Sequence, residues 1–382
     1  MESYVAIGVM SGTSLDGLDL VACRFTKDET WQFEILKAGT ISYSYEWVSK
    51  LASAHKLNAL EFALLNNDFG QFIGKNVAMF CSDIPQKPDL ISSHGHTVFH
   101  QPSKKLTSQI GSGAVIAAAS GIKTVCDFRT LDIALGGQGA PLVPIGDELL
   151  FADFDFCLNL GGIANISYNE NGNRVAFDIC PANMAVNLLA KKLGYEYDLD
   201  GNLGRMGEVN QELLSLLNNL DFYKTTGPKS IGREWFESNF SRIVNSFNLS
   251  PTDAIRTVYE HISDQVCLSV DKYSKGQMLV TGGGAHNIFL VELLSEKNKH
   301  KTVLPSKEII DFKEAIIFAF LGILRAREET NCLKSVTGSA KDNSGGAIYL
   351  PSRTPFCSKY VLVFTKPGIY TIFESKFNQN KT

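Results

Sequence analysis

Nothing in these 382 residues carries the marks of export or of a membrane span. The eight cysteines form no C-x-x-C pair, so neither a zinc ribbon nor a dithiol redox motif is present, and reduced thiols are expected instead of a disulfide framework. The opening Met1-Glu2-Ser3-Tyr4 lacks the basic and apolar blocks of a signal peptide. The longest apolar run, Ala315 to Leu324, is too short to cross a bilayer. Lys and Arg number 36 against 40 Asp and Glu, a net charge of −4, and no long basic run occurs. Nucleic acid is therefore not an expected partner, nor is a membrane, and the expected location is cytoplasmic. Gly-x-Ser-x-Gly is absent, which sets aside a nucleophile elbow. The one stretch that faintly suggests a Walker loop, Gly227-Pro228-Lys229-Ser230, lacks the earlier glycine and its spacing. His94, His96 and His100 form H-x-H-x₃-H, but no carboxylate or cysteine stands beside them to complete a metal site, so sugar-binding or structural histidines are the preferred reading.

What is present organises itself around the first turn. Apolar runs from Tyr4 to Val9 and from Leu18 to Phe25 flank Gly12-Thr13-Ser14-Leu15-Asp16-Gly17, the pattern of a β-hairpin. The turn carries hydroxyls and carboxylates as well as glycine. Glycine lets backbone approach a ligand, successive N–H groups make an anion nest, and Asp16 or Asp19 could hold a hydrated Mg²⁺. An ordinary polar hairpin is the competing reading. Trp31 to Ser42 adds a third strand. Tyr45 to Ser53 and Ala59 to Phe80 then read as helices from their three- and four-residue apolar spacing. Pro88 to Ser93 reads as a strand ending at Ser93-His94-Gly95-His96, Ser112 to Ser120 as a helix, and Ile122 to Cys126 as a strand ending at Asp127-Phe128-Arg129, where the Asp and Arg either pair or line a cleft. Leu135 to Pro144 breaks this pattern as a boundary or a functional loop.

The opening pattern then repeats. Phe154 to Leu160, the turn Gly161-Gly162, Ile163 to Tyr168, a polar turn, and Arg174 to Ile179 again give strand, glycine turn, strand, polar turn, strand. Helices follow over Asn183–Leu193, Gly207–Leu217, Glu234–Phe247 and from Pro251 to about Tyr273. Gln277 to Thr281 is a strand leading into Gly282-Gly283-Gly284, where a flat ring could lie on bare backbone; Phe289 onward is helical again, and Thr302 to Leu304 is one more strand. The longest apolar-faced helix spans Phe312 to Glu329, with Glu314 near its start. The expected fold is α/β: two RNase H-like domains facing a nucleotide cleft, as in the sugar kinase, actin and Hsp70 superfamily. The division is 1–130, 131–350, and an extension at 351–382 in which Tyr360 to Phe364 and Ile369 to Phe373 read as a hairpin or a plain tail. Asp178, at the end of the third strand of the second half, is the candidate base, with a capping role as its rival. Glu314 carries the same ambiguity with the helix dipole.

Several blocks resemble the anhydro-N-acetylmuramic acid kinase family: Gly8 to Gly17, Ser93 to Val98, Gln109-Ile110-Gly111, Asp132 to Pro144, Leu158 to Asn165, and Thr281 to Gly284, in that order over about residues 4 to 350. The resemblance implies a cytoplasmic homodimeric kinase using ATP and Mg²⁺. It would open the 1,6-anhydro bridge of anhydro-N-acetylmuramic acid with water and phosphorylate O6, in the recycling of cell-wall sugar. It implies Asp178 as the base that activates water; Gly12, Thr13, Ser14, Leu15, Asp16, Gly17, Leu18 and Asp19, with Gly161, Gly162, Gly282, Gly283 and Gly284, as the ATP site; and His94, Gly95, Asn183 and Glu314 near the sugar. Two departures bear on sugar preference. Many relatives carry Asp-Thr-Gly-Pro-Gly-Asn where this chain has Asp178-Ile179-Cys180-Pro181-Ala182-Asn183, and often a His after the Gly/Pro block where it has Gly146-Asp147. The rival functions are a same-fold kinase for another amino or anhydro sugar, and a sugar sensor without turnover.

Overall fold

A computed structural model describes residues 2–12, 14–225 and 229–351, and two strands at 360–366 and 369–374. The first sheet begins with β1 (Glu2–Ser11), β2 (Gly17–Lys27) and β3 (Trp31–Ser42), each antiparallel to the next. Helices α1 (Tyr45–Ser53) and α2 (Ala59–Phe80) follow. Asn58 starts α2 with a capping box, its side chain accepting from Glu61 N while Glu61 reaches back to Asn58 N. Next come β4 (Leu90–Gln101), β5 (Leu106–Ile110), α3 (Gly113–Ser120) and β6 (Thr124–Cys126), β4 lying parallel to both β1 and β6. After a loop and α4 (Pro144–Leu150), the pattern returns in β7 (Phe156–Leu160), β8 (Ile163–Glu170) and β9 (Asn173–Pro181). Helices α5 (Asn183–Lys191) and α6 (Pro251–Val270), then β10 (Gln277–Thr281), α7 (Ile288–Lys297), β11 (Lys301–Val303) and α8 (Lys307–Ala326) complete the second half.

The two sheets have the same strand order. The first runs β3-β2-β1-β4-β6 and the second β9-β8-β7-β10-β11, each with an antiparallel meander joined to two parallel strands. This is the RNase H-like order twice over, the fold expected from the sequence. Odd and even residues of a strand face opposite ways, and here both faces are covered. Leu18 and Leu20 of β2 pack toward α2 and α3, while Val21 and Phe25 pack toward α8. Leu158 and Val280 face α6, while Cys157 and Leu279 face α8.

Helix α8 is thus the layer between the sheets. Its residues Ala315 to Leu324 are buried on every side, which explains the apolar run: a helix apolar all round is a buried helix. Burying each large side chain of this run contributes about 1.5–3 kcal/mol. Among the described residues no helix is long and apolar enough to cross a membrane. The seven described cysteines are free thiols.

Four expectations need correction. β4 does not end at Ser93; it runs on through both histidines and turns back as β5, because Gly95 (φ 72°) and a bulge let it bend. No helix begins at Gly207: one ends there (Asn202–Met206) and another spans Gln211–Asn218. A Cβ at Gly207 would lie 2.2 Å from Thr252 O, so close packing on α6 fixes that glycine. Helix α8 begins at Lys307, capped by Ser306, and Glu314 sits in its third turn. Finally β12 (Ala347–Tyr349) pairs antiparallel with β6, so a chain segment expected in the second half closes the edge of the first sheet. At the C-terminus β13 (Tyr360–Lys366) and β14 (Ile369–Glu374) form the hairpin that the alternation suggested.

Candidate active site

The first-half turn spans the end of β1 and the start of β2, whose last rung is Ser11 opposite Leu18. Thr13 lies outside the described residues. Ser14 Oγ donates to Asp16 Oδ1 at 2.7 Å, and Leu15 takes φ 61°, an uncommon left-handed conformation that folds the turn. A Cβ at Gly12 would meet nothing nearer than Ser14 Oγ, at 3.4 Å, so this backbone is open to a ligand. Gly17 and Leu18 differ: a Cβ at Gly17 would lie 2.6 Å from Thr40, and the Leu18 side chain is fully buried. Asp19 accepts from Thr40 Oγ1 at 2.5 Å. Burial raises its carboxyl, helped by the negative charges of Asp16 and Asp311. Ser11 at the end of β1 accepts from Tyr43 OH at 2.7 Å and shares a hydrogen bond with His96 Nδ1 at 3.0 Å, tying the start of the turn to β4.

His94 is buried, with both ring nitrogens occupied. Nδ1 donates to Gly95 O at 2.9 Å, and Nε2 accepts from Arg129 at 2.8 Å. Burial and the guanidinium hold the ring neutral, with its pKa lowered to about 3. Its polar atoms are thus spent on Gly95 O and Arg129. Arg129 also donates to Gly139 O at 2.6 Å, and burial lowers its pKa to about 10 against the attraction of Glu314. Asp127 bonds Thr130, not Arg129, so the pairing reading of these two residues does not hold, and Arg129 turns to His94 and Gly139 instead. His100 bonds Thr107, and no group of three metal-ligating side chains exists among the described residues.

The Gly/Pro stretch is what shapes Arg129. Asp132, fully buried, accepts from Gly139 N at 2.8 Å through Oδ2, and from Thr337 Oγ1 at 2.8 Å, Asn343 Nδ2 at 2.9 Å and Cys332 Sγ at 3.1 Å through Oδ1. Burial alone would raise its carboxyl; these donors outweigh it and lower it. The loop is thereby pinned so that Gly139 O meets Arg129. Single-residue reasoning missed Asp132, although an acidic residue opening a Gly-rich loop was the available signal.

In the second half the Gly161-Gly162 turn abuts the start of α5: Ala182 N donates to Gly162 O at 2.9 Å, and Asn183 N to Gly161 O at 3.2 Å. Asn183 also spends Nδ2 on Leu160 O at 3.0 Å, so it braces the turn. The three glycines after β10 divide in role. Gly282 (φ 82°) and Gly284 are packed, since a Cβ would meet Asn159 Oδ1 at 2.4 Å and Leu160 Cβ at 2.7 Å respectively; at Gly283 the nearest atom would be 3.6 Å away. Only Gly283 leaves open backbone. His286 ends this turn and bonds Asp311 of α8 at 2.5 Å.

Asp178 pairs with Asn165 beside a bulge in β9, after which Cys180 and Pro181 resume the pairing with β8. Its Oδ2 accepts from Ile231 N at 2.8 Å and its own N–H donates to Lys229 O at 2.9 Å. Among the described residues no donor bonds Oδ1. Burial raises the carboxyl, opposed by the Ile231 bond. Glu314 is exposed to water yet surrounded by protein, the position of a group on a cleft floor. That surrounding protein raises its carboxyl, Arg129 opposes the rise and Asp19 adds to it.

The chain matches the family model for anhydro-N-acetylmuramic acid kinase over residues 4–351. Relatives bearing that name include those of Vibrio cholerae, 34% identical over 374 residues with 92% of this chain and 99% of the relative covered, and of Bacillus cereus strain Q1, 31% identical over 381 residues with 91% and 100% covered. Among solved structures, a ROK family glucokinase from Streptomyces griseus in complex with glucose and AMPPNP aligns with a TM-score of 0.40 at 11% identity, covering 83% of this chain and 98% of that one. The fold assignment rests on the strand order, not on that alignment. The chain belongs to the anhydro-N-acetylmuramic acid kinase family and is a kinase.

Proposed function

We propose that this kinase uses ATP and water to convert 1,6-anhydro-N-acetylmuramic acid into N-acetylmuramic acid 6-phosphate and ADP. Asp178 takes a proton from water as the water oxygen bonds to C1 of the sugar. The C1–O6 bond breaks, and the freed O6 attacks the γ-phosphorus of ATP, from which ADP leaves. The observation that carries this reading is Asp178 itself. One oxygen is oriented by Ile231 N–H, the other is free of partners among the described residues, and burial raises the carboxyl toward the range useful to a base.

Gly12 and the turn to Asp19 hold the phosphates through backbone and hydroxyl donors, with Gly161 and Gly162 opposite. Gly283 gives the adenosine its open backbone, while Gly282 and Gly284 hold the turn in shape. Glu314 and Arg129 face the sugar, His94 and Gly95 support Arg129 from behind, and Asn183 braces the Gly161-Gly162 turn at the sugar's other side. Mg²⁺ fits the residues present: Asp19 is half-buried, negatively surrounded and, among the described residues, its carboxylate bonds only the Thr40 hydroxyl, so a cation there is favoured. When bound it offsets the charge that builds on the transferring phosphoryl group. A homodimer in the cytoplasm, serving the reuse of cell-wall sugar, completes the proposal.

The test is a mass spectrum of purified protein incubated with Mg-ATP and the anhydro sugar. The expected product is heavier than the sugar by one water and one phosphoryl group. Phosphorylation without water would make this a hydroxyl kinase and remove the role given to Asp178. A silent reaction alongside an active one on another amino sugar would move the substrate. Sedimentation at micromolar concentration tests the dimer.

A further inference from the structure

Between β9 and α8 lies a buried cluster of charge that the reaction does not use. Asp147 of α4 has Lys313 Nζ 2.6 Å from Oδ1 and Arg174 3.9 Å from Oδ2. Ser167 donates to the same Oδ2 and accepts from Arg174 at 2.7 Å. All four side chains are buried. Burial disfavours the Lys313 ammonium, and Asp147 more than reverses this. Such a cluster is a poor source of stability, because desolvating three charges offsets most of their attraction. What it does provide is direction.

Two facts of placement give that direction a use. Arg174 and Asp178 lie four residues apart on β9, before its bulge, and so project from the same face of the strand. Lys313 immediately precedes Glu314 on α8. Asp147 therefore joins the strand that bears the base to the helix that bears the cleft carboxylate. From Ala315 to Leu324 α8 is apolar on all sides, and such a surface defines one rotation about the helix axis only weakly. The charged cluster supplies the buried directional contact at its near end, beside the more exposed His286–Asp311 pair, as a buried polar residue fixes register in other helical packings.

We infer that Asp147, Lys313 and Arg174 form a positioning clamp that sets the rotation of α8 against β9, and with it the spacing of Glu314 from Asp178 across the sugar. The inference rests on the function proposed above. Lys313→Met and Arg174→Met each break one arm and leave Asp147 one cation, so neither strands an unpaired charge, and either folded variant is decisive. In the full chain with Mg-ATP and the anhydro sugar, each lowers kcat/KM for sugar about 10- to 100-fold, the range expected when reacting groups move by about 1 Å. KM for ATP stays within about twofold, and Lys313→Arg restores most of the loss. A folded methionine variant with wild-type sugar kinetics overturns the clamp. So does a parallel loss of sugar and ATP constants that Lys313→Arg does not restore. Amide exchange across residues 309–316 of α8 quickens in the methionine variants whatever the substrate, and unchanged exchange overturns the clamp independently. An inert wild type would instead defeat the substrate reading, leaving the exchange comparison to judge the clamp.

Discussion

The two halves share one strand order and differ at its two exits. After the first strand, the first half makes a turn bearing Ser14, Asp16 and a left-handed Leu15, whereas the second makes the bare turn Gly161-Gly162. After the fourth, the first half runs twelve residues through His94 and His96 and doubles back, whereas β10 stops after five at Gly282. One frame has thus been used twice, and the chemistry lies in the connections. Polar side chains crowd the first half's turn, while the second half's turns offer backbone to lie against, with the half-buried carboxylate of Asp178 beside them.

The sharpest way to break this comparison is Asp178→Asn. Turnover should fall by about 10²–10⁴-fold, the range for losing a general base. ATP binding, measured by calorimetry, should be unchanged; near-normal turnover would return Asp178 to a structural role. A stability effect of opposite sign should accompany it. The folded carboxyl is raised above the ordinary 3.8, so its contribution favours the fold at low pH and is lost as pH rises through the folded value. The Asn variant escapes that loss, and its melting temperature at neutral pH should equal or exceed the wild type's.

The next largest effect separates the three glycines. Gly284→Ala drives a methyl to 2.7 Å from Leu160 Cβ and should lower stability by about 1–3 kcal/mol in a denaturant titration. Gly283→Ala finds 3.6 Å of room, so its stability should stay near wild type while KM for ATP rises several-fold. Equal behaviour of the two would undo the division of labour drawn between them.

Smaller effects concern pH. The acid limb of kcat/KM for sugar should lie above the ordinary aspartate value of 3.8, because burial raises Asp178. No limb between pH 5 and 8 should belong to His94, whose ring stays neutral with a pKa of about 3. His94→Gln, read against wild type, would leave the shape of that profile unchanged while weakening the support of Arg129.

How much of this was legible in the chain can be judged residue by residue. The meanders were, because alternation between turn residues is a local signal: β1, β2 and β3 and their echo in β7, β8 and β9 fall where the pattern puts them. Asp178 was legible as a strand-end carboxylate. Arg129 was visible only as one of two undecided residues, and Asp132 not at all, since its donors come from Gly139, Cys332, Thr337 and Asn343. His94 was legible as a conspicuous histidine but not as one whose nitrogens are already engaged.

The sequence by itself determined the repeated frame, the glycine turns and the helix caps at Asn58 and Ser250, because each depends on neighbours a few residues away. Tertiary structure alone decided that Ala315 to Leu324 lies between two sheets, that β12 returns to the first of them, and that Asp147, Lys313 and Arg174 meet. The reason is physical. Local propensity depends on near neighbours, whereas the burial of a charge and the direction of a carboxylate depend on what distant segments place against them.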